Sequence, residues 1–437
     1  MRRIMTIYVM LAVLLLSGCA LRTVEDMYTP PKRSSEYEDL QRAIDTAMNG
    51  LSYAAPVFGE YRQSVQMADL NGDGLDEYLV FAKDTSDTPL KIMIFTSDEK
   101  GCRLAETLAG RGAAFDLVEY VDLDGRAGME LVVGKQVSNL ILRYVSVYTF
   151  QDGTSKRLMS GNYSRIVPVD MNGDAVSDLM IITRGEADED NAVAALYSFE
   201  AGAMVRSREA ELSGSSDRIK RIMIGRLYND VPYFYLASNV NDDAIVTDVL
   251  AIRDGKFTNI SQDNESGTSV QTLRNYYVYA DDIDDDGVLE LPDLIDMVPV
   301  ENTHRVSRQQ MIRWYAMKSD GTEIDKMFTF HNYDDGWYLQ LDEDIAARIS
   351  VVKKGGNSVF YIWYPDFEGA EELMTIYSLS GTDREAVDKS DHFVLYRTES
   401  VIYTVKTESF AAEYGITPEL LAERFHLIQM DWKNGET

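Results

Sequence analysis

The stretch Asp69-Leu70-Asn71-Gly72-Asp73-Gly74-Leu75-Asp76-Glu77 decides how this chain folds, and the apolar run at 78–81 follows it directly. Nine-residue acidic segments with the same spacing recur at 122–130, 170–178 and 282–290. One such segment would indicate only a surface turn, because Asp and Gly are common in turns. Four copies, most of them followed by a strand-like run, indicate an internal repeat.

The spacing of the copies indicates a fifth, degenerate one. Their starts differ by 53 residues (122 − 69), 48 (170 − 122) and 112 (282 − 170), so the last gap holds about two periods. The segment 225–233 lies in that gap and keeps the frame without the acidic positions. We name these segments loop 1 (69–77), loop 2 (122–130), loop 3 (170–178), loop 4 (225–233) and loop 5 (282–290), and number their positions 1 to 9.

Between the loops the sequence alternates apolar and polar residues in short segments bounded by Gly, Asn and Asp, which is typical of β-strands. A period of this length, with roughly four strands per repeat, is typical of a β-propeller blade. The sequence therefore predicts an all-β fold over 51–437, a propeller of about seven four-stranded blades with six or eight possible. We expect strand residues near 57–67 to join the last blade and close the ring.

The loops have the oxygen-rich composition that calcium prefers, with side chains at positions 1, 3 and 5, a backbone carbonyl at 7 and an acid at 9. A strand follows where an EF-hand would place its exiting helix, so this is a different calcium loop. The predicted ligands are Asp69, Asn71, Asp73, Leu75 and Glu77 in loop 1, Asp122, Asp124 and Glu130 in loop 2, Asp170, Asn172, Asp174, Val176 and Asp178 in loop 3, and Asp282, Asp284, Asp286, Val288 and Glu290 in loop 5.

Three loops depart from the full pattern. In loop 3, Ala175 replaces the turn glycine that loop 1 has at Gly74, which is expected to weaken the site. In loop 2, Arg126 stands at position 5, where its guanidinium can take the place of a cation. Loop 4 is expected to hold no metal. The sequence thus predicts two to four structural Ca²⁺ ions, since a fully chelated ion leaves no open position for catalysis.

The core Asp-x-Asp/Asn-x-Asp-Gly of these loops resembles the FG-GAP/VCBS repeats of integrin-α-like β-propellers. The resemblance covers about five repeats. It implies a calcium ion held between two strands of a blade, and a protein-interaction, adhesion or scaffold role.

The N-terminus predicts export and anchoring. Arg2 and Arg3 precede an apolar run at 4–16, and small residues then lead to Cys19. This resembles a bacterial lipoprotein signal, which implies cleavage of residues 1–18 and a diacylglycerol on Cys19. The alternative, a transmembrane anchor, is disfavoured because the run is shorter than the roughly 20 residues of a spanning helix. We expect a lipid-anchored protein on the outer side of a cell membrane, with 19–34 as a tether.

Two short helices are predicted at the ends of the body. Ser35 and Glu38 fit a capping box, apolar residues follow at helical spacing, and Gly50 ends the segment, so a helix is expected over 35–50. Thr417 and Pro418 fit an N-cap and first helical residue near the C-terminus.

Composition excludes some functions. A net charge of −30 disfavours nucleic acid as a partner, because like charges repel. The sequence contains no nucleophile elbow, phosphate loop or zinc-ligand pair, and its four histidines have no metal spacing. We therefore expect no enzyme, but a module that binds a protein or a glycan at the cell surface. Binding of polysaccharide or cell-wall glycan is the alternative, and a propeller-based polysaccharide lyase or hydrolase is third.

Overall fold

The structure is a computed structural model, and it describes residues 35–98, 101–137, 142–185, 191–226, 232–241, 244–263, 265–276, 278–299, 309–384 and 392–428. The predicted signal segment 1–18, the predicted lipidation site Cys19, the predicted tether 19–34 and residues 227–231 of loop 4 lie outside these ranges. In the described part, no helix is both long and apolar enough to cross a bilayer.

The described chain is all-β, as predicted, and it forms six antiparallel sheets of four or five strands. We number them sheets 1 to 6 in chain order. Sheet 1 contains β1 (Ser52–Tyr53), β2 (Val65–Ala68), β3 (Glu77–Lys83), β4 (Leu90–Asp98) and β5 (Gly101–Gly110), and sheet 2 contains β6 (Ala114–Val121), β7 (Glu130–Gln136), β8 (Arg143–Gln151) and β9 (Thr154–Tyr163). Sheet 3 contains β10 (Arg165–Val169), β11 (Asp178–Thr183), β12 (Val193–Glu200) and β13 (Ala203–Glu211), and sheet 4 contains β14 (Ile219–Arg226), β15 (Pro232–Asn241), β16 (Ala244–Arg253) and β17 (Lys256–Asn259).

The last two sheets depart from this simple up-and-down order. Sheet 5 contains β18 (Leu291–Asp296), β19 (Gln310–Met317), β20 (Glu323–Asn332), β21 (Trp337–Leu341) and the distant β27 (Phe425–Leu427). Sheet 6 contains β22 (Ile349–Lys354), β23 (Asn357–Trp363), β24 (Ala370–Ser380), β25 (Phe393–Arg397) and β26 (Val401–Thr407), with β26 between β24 and β25.

Hydrophobic clusters join each sheet to the next. Separate clusters connect sheets 1 and 2, 2 and 3, 3 and 4, 4 and 5, and 5 and 6. Because each sheet buries apolar side chains on its neighbours, the core is distributed between sheets. Among the described residues, no cluster joins sheet 6 to sheet 1. The prediction that residues near 57–67 join the last blade is wrong, because β2 pairs with β3 in sheet 1.

The same β-bulge recurs in sheets 1, 2, 3 and 5. In each of these sheets, three consecutive strands follow the loop, and one residue of the third of them (β5, β9, β13 or β20) is skipped in its pairing with the second. The skipped residue lies near the start of the strand that directly follows the loop. The skipped residues are Ala105, Leu158, Ser207 and Lys326. Because they are skipped at the same point of the pairing, these four residues hold equivalent places in their sheets. A bulge increases local twist and redirects a side chain.

Both terminal helices are present. Helix α1 (Ser35–Ala47) buries Leu40 and Ile44 against sheet 1 because they lie one turn apart on its apolar face. A short helix, α2 (Glu343–Ala346), follows β21. Helix α3 (Pro418–Arg424) is capped by the Thr417 hydroxyl, which accepts the Leu420 N–H at 3.2 Å. It packs on sheets 5 and 6.

Candidate metal centre

Each acidic loop joins two neighbouring strands of its sheet. Loops 1, 2 and 3 connect β2 to β3, β6 to β7 and β10 to β11, and loop 5 lies between the bridging residue Asp281 and β18. The acid at position 9 is at most 9% exposed in all four loops: Glu77, Glu130, Asp178 and Glu290. It accepts the N–H of position 2, at 2.9 Å in loop 1, 2.8 Å in loop 2 and 3.2 Å in loop 5. This bond closes each loop at its base.

Loops 1, 3 and 5 share two further hydrogen bonds. The aspartate at position 1 accepts the N–H of position 6 at 2.9 Å in all three loops. The aspartate at position 5 accepts the N–H of position 7, at 2.8 Å in loop 1 and 2.9 Å in loops 3 and 5. Position 6 has a positive φ in each, +86° at Gly74, +67° at Ala175 and +85° at Gly287. Ala175 therefore adopts a conformation that favours glycine.

Loop 2 is built differently because Arg126 has no carboxylate to accept the N–H of position 7. Its guanidinium Nη1 lies 3.7 Å from Asp124 Oδ2, and its Cζ lies 5.8 Å from the centre of the Phe199 ring. The Arg126 side chain is 65% exposed, whereas that of Asp124 is 2% exposed. The arginine therefore covers the loop from the solvent side.

Two acidic triads have the geometry to hold a metal ion. Single carboxylate oxygens of Asp122, Asp124 and Glu130 all lie within 4.8 Å of one another, and so do those of Asp282, Asp284 and Glu290. Three buried oxygens in these triads accept no hydrogen bond: Asp124 Oδ2, Asp284 Oδ1 and Glu290 Oε1. Buried oxygens without a donor are costly unless a cation is bound. The donor set is all oxygen, as hard cations such as Ca²⁺ prefer.

Burial disfavours the charged form of the position-9 acids. Desolvation raises the pKa of Glu77, Glu130 and Asp178 above the ordinary range, and neighbouring aspartates add to the shift. The same cause raises the pKa of Glu290 to about 8. A divalent cation would favour the ionised form in each loop, because opposite charge lowers a carboxyl pKa.

In loops 1 and 3 the predicted ligands are hydrogen-bonded to one another. Asn71 Nδ2 donates to Glu77 Oε1 at 2.7 Å, and Asn172 Nδ2 donates to Asp174 Oδ2 at 2.8 Å. Within the described residues, compact acidic triads are found in loops 2 and 5 and not in loops 1 and 3. Holding an ion in loops 1 and 3 thus requires the asparagine side chains to turn their oxygens inward.

Neighbouring loops are linked by a repeated backbone bond. The position-8 N–H of loop 2, from Met129, donates to the position-1 carbonyl of loop 1 at 3.0 Å, and Ser177 of loop 3 donates likewise to Asp122 at 2.9 Å. Loops 1 to 3 therefore form one row. Loop 4 has Pro232 at position 8, which has no N–H to continue it.

Sequence reasoning missed one contributor to loop 5. Lys326, the bulge residue of β20, places its ammonium 3.7 Å from Asp284 Oδ2 and in contact with Asp286 Oδ2. Lys326 lies 40 residues from Asp286 in the chain, so the loop pattern contains no sign of it. Alignment of the repeats on the third strand after each loop would have shown a lysine where the others have Ala, Leu or Ser.

A groove of about 700 Å³ opens beside loops 2 and 3. Asp124, Asp174 and Asp178 line one side, and β12 and β13 line the other with Ser198, Phe199, Arg206, Ser207 and Arg208. The Arg208 Nε donates to the Gly255 carbonyl at 3.0 Å, which fixes that side chain at the rim. The groove thus presents an aromatic ring, hydroxyl groups and charges of both signs.

Comparison with known proteins does not assign a family. No protein-family model matches the chain, and no curated protein matches it. One similar solved structure is a rhamnogalacturonan lyase PL11 of Bacillus licheniformis, with 11% sequence identity and a TM-score of 0.30. The match covers 71% of this chain and 60% of the lyase chain. A likeness this weak decides neither fold nor activity, so the class is defined by the six sheets and their acidic loops.

Proposed function

We propose that the six sheets are blades of a calcium-stabilised β-propeller that serves as a binding or scaffold module on the outer surface of a membrane. The observation that carries this proposal is the repeated loop. Four loops share a buried acid at position 9, and loops 2 and 5 combine compact acidic triads with buried oxygens that lack a donor. Calcium in these loops would hold the first two strands of a blade together from one end.

Structural calcium is tested by thermal unfolding of the purified chain in EGTA and in millimolar calcium, with bound metal counted by mass spectrometry. The proposal expects two to four ions and a higher melting temperature in calcium. An unchanged melting temperature with no bound metal would reject it. Magnesium at the same concentration is the control, since its preference for strict octahedral geometry suits these loops less well.

Membrane attachment is a separate part of the proposal and rests on the sequence around Cys19. The change Cys19→Ser removes the thiol that would carry the diacylglycerol. The wild-type chain is expected in the membrane fraction of expressing cells, and the variant is expected outside it. Equal membrane recovery of both proteins would contradict the lipid anchor.

Glycan binding is the second candidate, and the groove beside loops 2 and 3 favours it. Aromatic rings stack on sugar faces, while hydroxyl and guanidinium groups bond sugar oxygens, and the groove offers both from Phe199, Ser198 and Arg206. A panel of neutral and acidic polysaccharides would show binding that Phe199→Ala removes. Tyr396→Ala, at a ring 45% exposed in sheet 6, is the matched control. Binding lost equally in both variants would exclude the groove.

A further inference from the structure

Loop 5 contains a cation from its own chain. The Lys326 ammonium contacts Asp286 Oδ2 and lies 3.7 Å from Asp284 Oδ2, and the lysine side chain is only 13% exposed. Its side chain is therefore largely buried, and its charge lies beside two of the predicted calcium ligands of loop 5. Yet Glu290, at 0% exposure, keeps Oε1 without a hydrogen-bond donor. The lysine thus offsets the charge of Asp284 and Asp286, while Asp284 Oδ1 and Glu290 Oε1 keep no hydrogen-bond donor.

The repeated bulge fixes where this side chain lies, but it does not require a charge there. Lys326 is the residue skipped by the bulge of sheet 5, and the equivalent residues are Ala105 in sheet 1, Leu158 in sheet 2 and Ser207 in sheet 3. None of these three carries a charge. The fold therefore accepts an uncharged side chain at this place, and the ammonium is particular to loop 5.

We propose that Lys326 is a built-in competitor for calcium, which occupies loop 5 in the metal-free protein and must be displaced when calcium binds. This rests on the proposed calcium binding by the loops and concerns its regulation at one of them. An ammonium a few ångströms from two carboxylates opposes a divalent cation at the same place by direct repulsion. Loop 5 therefore responds to higher calcium concentrations than loops 1 and 3, where the residues equivalent to Lys326 are the uncharged Ala105 and Ser207.

Lys326 also makes the stability of sheet 5 less dependent on calcium. Without metal, the ammonium offsets the mutual repulsion of Asp284 and Asp286, so the loop keeps its conformation. With metal, Asp282, Asp284 and Glu290 are close enough to bind one ion, and Glu290 Oε1 gains a partner that the lysine does not supply. Calcium thus binds loop 5 by exchange of one cation for another.

The test is isothermal titration of wild-type and Lys326→Leu protein with calcium alone, after treatment with EGTA. Leucine is the residue of sheet 2 at the same place, so the change is matched to this fold. We expect at least one site of Lys326→Leu to bind calcium tenfold more tightly or better. In EGTA the variant should melt at a lower temperature than wild type, and in saturating calcium the difference should vanish or reverse.

Two controls assign the effect to loop 5. Lys318→Leu removes a lysine from the exposed turn between β19 and β20, and it should change neither the calcium affinity nor the melting temperature in EGTA. The double variant Lys326→Leu/Glu290→Gln should lose the tight site that Lys326→Leu gains. If Lys326→Leu does not fold, Lys326→Gln removes the charge while keeping a polar end.

The outcomes separate this proposal from the one on which it rests. Calcium binding with unchanged affinity at every site in Lys326→Leu would overturn the competitor role and leave structural calcium intact. Absence of calcium binding by the wild-type chain and by Lys326→Leu would overturn both. A gained tight site that survives Glu290→Gln would also overturn the role of Lys326 in loop 5.

Discussion

Replacing Asp69 by alanine tests the loop chemistry at the site with the full predicted ligand set. The Asp69 carboxylate accepts the N–H groups of Gly72 at 2.7 Å and Gly74 at 2.9 Å. Each hydrogen bond contributes about 1 kcal/mol, so Asp69→Ala should lower the free energy of unfolding by about 1–3 kcal/mol in EGTA. In calcium at a hundred times its dissociation constant, a bound ion adds about 2.7 kcal/mol, and the variant loses this as well.

The measurement is urea unfolding followed by circular dichroism, in EGTA and in calcium, for wild type and two variants. Asp76→Ala is the matched control, because it removes the same charge from exposed position 8 of the same loop. We expect the two variants to differ in EGTA and to differ further in calcium. Bound calcium should fall by one ion in Asp69→Ala only.

Two results would refute this reasoning. Equal destabilisation by Asp69→Ala and Asp76→Ala in both conditions would mean that the loop acts only through its net charge. A loss at Asp69→Ala that is the same with and without calcium would show that this aspartate caps a turn and binds no ion.

Three further predictions concern loop strain, pH dependence and the C-terminal strand. Ala175→Gly should raise the free energy of unfolding by about 1 kcal/mol, because Ala175 has φ +67°, and an unchanged urea midpoint would contradict this. Burial lowers the pKa of His331 from 6.5 to about 3, so the unfolded chain binds its proton first as pH falls. His331 should therefore lower the free energy of unfolding by about 1.4 kcal/mol for each unit that the pH falls between 6 and 4. It should have no such effect above about pH 7. In urea titrations, the free energy of unfolding of wild type should fall with pH more steeply than that of His331→Gln by this amount. Phe425→Ala should lower the free energy of unfolding by about 3–5 kcal/mol, since Phe425 is 3% exposed and its ring centre lies 5.4 Å from that of Trp337. A loss under about 1 kcal/mol would show that β27 docks weakly.

The sequence predicted those features that depend on neighbours in the chain. The all-β fold, the place of the loops before strands and the helix capped at Thr417 all follow from local spacing and turn chemistry. The burial of the position-9 acids also has a local reason, since position 9 begins a largely buried strand in loops 1 to 3 and directly precedes the buried start of β18 in loop 5. The hydrogen bond that the position-9 acid accepts from the N–H of position 2 was not predicted.

Features that depend on distant segments could not be predicted. Lys326 reaches loop 5 only through the register of β19 and β20, which the sequence does not specify within one residue. The crossed order of β25 and β26 and the pairing of β27 with β21 depend on tertiary packing for the same reason. The expected seven blades came from dividing the chain by its period, whereas the described residues form six sheets.

The pairing of β27 with β21 has a consequence for synthesis on the ribosome. During synthesis, β21 (Trp337–Leu341) is made before sheet 6. The strand that covers its outer edge, β27, is made only after all of sheet 6. During that interval the edge presents unpaired N–H and C=O groups, which are a template for pairing with another chain. Interrupted translation or proteolysis before Phe425 would therefore leave a folded body with an additional unpaired edge at β21, and such fragments should self-associate more readily than the full chain.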